Sequence, residues 1–181
     1  DVYYEHHLIG KVPTVMAHCI HLSDVEMDRM AETQTMVAHC PYSNVNLSSG
    51  IAPIRKLFER KIPIGLGSDI SGGHIVSMAK VLTEAIGLSK MKWVEVDQTY
   101  VPLTLSEAFY MATKGGGKFF GKVGSFEKGC ELDALVIDDT TLFDPNERSL
   151  EERLERWLYV GDDRHIIERY VAGKVAPEPT N

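Results

Sequence analysis

Three short apolar runs lie in the first seventy residues: Thr14-Val15-Met16-Ala17, Thr35-Met36-Val37-Ala38, and Ile62 to Gly67. None alternates with polar positions, so each reads as a strand buried on both faces. Helix-periodic stretches separate them. Ser23-Asp24-Val25-Glu26 is a capping box, with Ser23 as N-cap and Glu26 reaching back. Val25, Met27 and Met30 are the expected inward face of the helix it opens. Ile51 to Arg60 predicts a second helix, and His74 to Met91 a long third one after the Gly72-Gly73 turn, whereas Pro41 to Gly50 is polar and turn-rich and reads as a loop. Parallel strands need a crossover, and helices between strands supply it. Right-handed crossovers set the three strands side by side with their C-terminal ends on one edge. The expected fold class is α/β, a doubly covered sheet or part of a barrel.

The texture changes downstream. Thr104-Leu105-Ser106-Glu107 is a second capping box, opening a helix toward Gly115-Gly116-Gly117. That glycine run lacks the Gly-Lys-Ser/Thr ending and the preceding strand of a phosphate loop, so it reads as a helix end. Leu132 to Ile137 predicts a strand, the charged stretch Asp144 to Arg156 a surface helix, and Ile166 to Val175 a last strand or hairpin bent at Gly173. The Pro177-Glu178-Pro179 end is expected to fray. The expected division is 1–123 and 124–181. Trp93 and Trp157 are expected as packing anchors, and Met27, Met30 and Met36 as core.

Composition narrows the function classes. With 181 residues, 44% of them hydrophobic, the chain can bury one core. No apolar run approaches 18 residues, so no membrane span is expected, and no secretory leader is visible. The formal net charge of −7 argues against a nucleic-acid partner and leaves small polar substrates open. Three cysteines without a Cys-x-x-Cys pair predict reduced thiols and a cytoplasmic setting.

Each apolar run ends in a group that can do chemistry: His18, His39 and Asp69. Functional residues of parallel α/β folds sit at strand C-termini, where the βα loops open. Two imidazoles and a carboxylate are ligand types of catalytic zinc, and a carboxylate beside an attacking water can carry its proton to a leaving group. Spacing alone leaves other readings open: strand-end histidines are commonly structural, and Asp69 can be an N-cap.

Longer stretches carry a resemblance. Met16-Ala17-His18-Cys19-Ile20-His21-Leu22, Ala38-His39-Cys40-Pro41-Tyr42-Ser43-Asn44 with Leu47-Ser48-Ser49-Gly50, and Ile64 to Gly73 around Gly67-Ser68-Asp69 resemble the sixth, seventh and eighth barrel strands of deaminases in the amidohydrolase superfamily. Gly124 to Val136 resembles the exit from the barrel into a small β-sandwich. Asp69-Ile70-Ser71-Gly72-Gly73 and Trp157 to Arg164, followed by Tyr170 to Lys174, resemble the guanine deaminases within that superfamily. The resemblance implies the C-terminal part of a TIM-type (β/α)8 barrel, strands 6–8, and a zinc-dependent conversion of guanine to xanthine and ammonia. It implies Asp69 as metal ligand and base, His18 as a catalytic hydrogen-bond partner of the attacking hydroxide, and His18, His39 and Asp69 as substrate-binding residues.

The family's first strand carries a zinc-binding His-x-His pair and its fifth a His-x-x-Glu; neither occurs in a usable place here. A catalytic zinc takes about three protein ligands, so the remaining ligands are expected upstream. By itself the chain is expected to be inactive, to bind zinc weakly or not at all, and to cover its open sheet by self-association or rearranged ends. Another amidohydrolase, of adenosine or triazine type, and a half-length binding or regulatory protein are the alternatives.

Overall fold

The computed structural model describes residues 2–142 and 144–177. The predicted strands form as β1 (Val15–Ala17), β2 (Met36–His39) and β3 (Ile64–Leu66), a parallel sheet in the order β1-β2-β3. Ala17 pairs with Ala38, and Ala38 with Gly65. Backbone pairing runs on past the strand ends, His18 N donating to Ala38 O and Gly67 N to His39 O, both at 2.9 Å. After a short α1 (Val2–Glu5), helices α2 (Asp24–Thr33), α3 (Pro41–Asn46) and α4 (Ile54–Glu59) fill the connections, and α5 (Met78–Glu95) follows β3.

The capping box of α2 forms as read: Ser23 N donates to Glu26 Oε2 at 2.8 Å and Glu26 N to Ser23 Oγ at 3.3 Å. Met27 and Met30 are buried, but Val25 is 64% exposed, because α2 turns only a narrow stripe inward. Two further expectations are corrected. Residues 41–50 hold α3, opened by Pro41 at the first helical position, where a missing N–H costs nothing. The long helix starts at Met78, leaving His74 in a loop, edge-on to the Tyr42 ring at 5.1 Å.

Val37, Leu57, Ile64, Val81, Leu82 and Met111 are each at most 1% exposed and centre the core. Helix α6 (Leu105–Tyr110) continues as a π-helical turn, Met111–Gly115, under β3. The glycine run serves close packing: a methyl group on Gly65 would lie 2.9 Å from Gly116 Cα, and one on Gly115 would lie 2.7 Å from Ile64 O. Arg55 ties α4 to α6, its Nη1 at 2.6 Å and Nη2 at 3.0 Å from the two Glu107 carboxylate oxygens.

Strands β4 (Ala134–Ile137), β5 (Ile166–Val171) and β6 (Lys174–Val175) form a second, antiparallel sheet. Between β4 and β5 runs α7 (Leu150–Val160), more than the surface helix expected: Trp157 and Leu158, at 7% and 2% exposure, join the same buried cluster as Val37 and Leu82. Trp157 is thus the anchor predicted. Trp93 is 46% exposed and is not one; its Nε1 donates to Gln98 O at 3.1 Å. The frayed end called for residues 177–179 lies, after Pro177, outside the described residues. Among the described residues no helix is long and apolar enough to cross a membrane.

Candidate active site

The sheet's parallel register brings all three predicted residues to one edge. His18 follows β1 directly, His39 ends β2, and Asp69 stands three residues beyond β3. His18 Nε2 and Asp69 Oδ2 face one another at 3.7 Å, each side chain 39% exposed. Both backbones are left-handed, at φ 66° for His18 and 45° for Asp69. Residues other than glycine seldom hold that conformation without support, and such positions cluster at functional sites. At Asp69 the support is a tight turn, Gly73 N donating to Asp69 O at 2.7 Å. A methyl group on Gly72 would lie 2.6 Å from Ser43 Oγ and 2.7 Å from Asp69 Oδ2, so only glycine lets this turn sit against α3.

His39 is different in kind. It is 2% exposed and its Nδ1 has no hydrogen-bond partner among the described residues. Burial, and secondarily the neighbouring His18, push its pKa down from 6.5 to about 4. The ring is therefore neutral at physiological pH. Unfolding frees it to bind a proton at its ordinary pKa, so its contribution to stability is complete above pH 6.5 and is lost as pH falls toward 4. We expect about 3 kcal/mol to be lost from this group between pH 7 and pH 4, read as a falling urea midpoint. His39→Gln should flatten that slope; an unchanged slope would remove His39 as its cause.

Cys19 and Cys40 follow the two histidines. Burial pushes both thiols up to about 11, Cys19 with help from Cys40 and Cys40 with help from Asp69. They stay protonated at neutral pH and are poor nucleophiles and poor metal ligands. All three cysteines are free, as expected of reduced thiols.

Two neighbours escaped the sequence reading. Ser43 and Asn44 are 0% and 1% exposed, and Asn44 Oδ1 lies 2.8 Å from His18 Nδ1. The available signal was a pair of polar residues just after a strand-end histidine, masked because that stretch reads as a loop.

The donor set fits part of a catalytic zinc site. Asp69 and His18 converge, but among the described residues no group of three or more His, Cys, Asp or Glu side chains is placed to hold a metal ion. A catalytic zinc takes about three protein ligands.

Three polar groups gather at the C-terminal edge of the parallel α/β sheet, where such folds place functional residues, and the sequence profile of the Amidohydrolase family matches residues 1–176. The chain belongs to that family. It is 38% identical over 177 residues to the guanine deaminase of Dictyostelium discoideum, covering 94% of this chain and 39% of that protein. Its structure superposes with a TM-score of 0.92 and 52% identity on the crystal structure of guanine deaminase from C. acetobutylicum with guanine bound in the active site, covering 96% of this chain and 41% of that one. An adenosine deaminase from Xanthomonas campestris with bound zinc matches with a TM-score of 0.73 and 26% identity, over 89% of this chain and 36% of that one. The chain thus spans about two fifths of the length of the relatives it matches.

Proposed function

We propose that this chain forms strands six to eight of a guanine deaminase barrel, with 124–181 contributing to an adjoining small β-sandwich, and carries part of the site at which guanine and water become xanthine and ammonia. The observation that carries the proposal is the approach of His18 Nε2 and Asp69 Oδ2 to 3.7 Å from the ends of β1 and β3. A water seated beside that pair, about 2.8 Å from each atom, can hydrogen-bond to both. Asp69 takes a proton from this water as it attacks C2 of guanine, then gives it to the departing amine. His18 holds the water in line, and His39 forms the neutral wall behind it. Asp69 would be this chain's ligand to zinc, whose chemistry is to lower the pKa of a water toward neutrality. The other ligands would come from barrel strands outside this chain. The 52% identity with a deaminase structure holding guanine favours guanine over other amines. A soluble, cytoplasmic, self-associating enzyme of purine breakdown fits this reading.

The test is a substrate panel on the chain fused to the part of the C. acetobutylicum enzyme that it does not match. Specificity for guanine should exceed that for adenosine or a chlorotriazine by about a thousandfold in kcat/KM, because a site built to hydrogen-bond one set of polar edges leaves groups unpaired with another. A preference for either competitor would instead make this another amidohydrolase.

A further inference from the structure

Asn44 plays no part in the steps above, yet it is the buried polar neighbour of His18. It lies in the last turn of α3, 1% exposed, with Oδ1 2.8 Å from His18 Nδ1. An amide oxygen can only accept, so the ring nitrogen it meets carries a hydrogen. A neutral imidazole has one N–H, so Nε2 is left with its lone pair. That lone pair faces Asp69 Oδ2, itself an acceptor, across 3.7 Å.

Two acceptors face one another stably only around a donor, and the substrate water is one. The opposite tautomer would aim Nε2–H at Asp69, occupy the carboxylate with an internal hydrogen bond, and weaken it as a base. Stability does not explain the asparagine: its Nδ2 is buried with no hydrogen-bond partner among the described residues, a cost that an apolar residue of similar size would not carry. We propose that Asn44 is a positioning residue that, in the neutral form of the His18 ring, selects the Nδ1–H tautomer, keeping Nε2 and Asp69 open to the same water. The catalytic meaning of this tautomer rests on the proposed function; the tautomer itself does not.

The experiment is a two-bond 1H–15N correlation of the histidine rings in the uniformly 15N-labelled chain at pH 8, with His18 assigned by the signals lost in His18→Gln. Wild type should show the Nδ1–H pattern. Asn44→Leu should lose it and gain Nε2–H, whereas Asn44→Asp, which keeps an acceptor in place, should retain Nδ1–H. A wild-type Nε2–H ring, or Nδ1–H persisting in a folded Asn44→Leu, overturns the proposal. Where Asn44→Leu does not fold, the wild-type pattern decides alone, Nδ1–H supporting the proposal and Nε2–H ending it. The spectrum needs no substrate, so a fused protein that fails to turn guanine over counts against the proposed function and leaves the tautomer standing.

Discussion

Fused to the part of the C. acetobutylicum guanine deaminase that it does not match, this chain is expected to turn guanine over at least about a thousandfold faster than it does by itself. Two terms make the difference. Among its described residues the chain brings together two convergent donors, Asp69 and His18, and no group of three that could hold a metal ion. Without a metal, the charge that builds on the attacked ring has no fixed cation to meet it, and such electrostatic stabilisation is commonly the largest single contribution to rate. Binding also suffers, because among the described residues β1 and β3 are the edge strands of the sheet, each with one hydrogen-bonded neighbour, which leaves the groups at their ends uncovered on the outer side. Loss of guanine absorbance, with zinc content measured on both proteins, checks this. Tight stoichiometric zinc and turnover by the unfused chain would overturn it.

Asp69→Asn should cost the fused enzyme about a thousandfold in kcat, with little change in folding. Asparagine is among the few residues that tolerate the left-handed backbone found here at φ 45°, so the Asp69–Gly73 turn should survive. Under the proposed roles the change removes the base and the anionic ligand at once while keeping size and shape. A loss smaller than tenfold would show that another group takes the water's proton.

The sequence made the sheet legible because its strands are short, apolar and each followed by a crossover; parallel pairing then placed residues 18, 39 and 69 on one edge without further information. Helix starts were legible at the capping boxes of Ser23 and Thr104; the start of the long helix shifted to Met78, where no box marks it, and the box at Ser149 went unread within the charged stretch from Asp144. The α3 helix was missed because six residues containing Ser43, Asn44 and Asn46 look like turn chemistry, and the burial of Ser43 and Asn44 comes from tertiary packing, Ser43 against the Gly72 turn and Asn44 against His18. That miss hid Asn44, whose importance lies in one hydrogen bond that no local pattern announces. Trp93 and Trp157 have the same intrinsic drive to be buried, and only the docking of α7 onto α5 separates their fates.

Crystals of the fused protein soaked with guanine give the most direct reading of the site. The purine should lie over the C-terminal edge of β1 to β3, its C2 facing the space beside His18 Nε2 and Asp69 Oδ2. Guanine held away from that edge, with both side chains out of its reach, would contradict the proposed site.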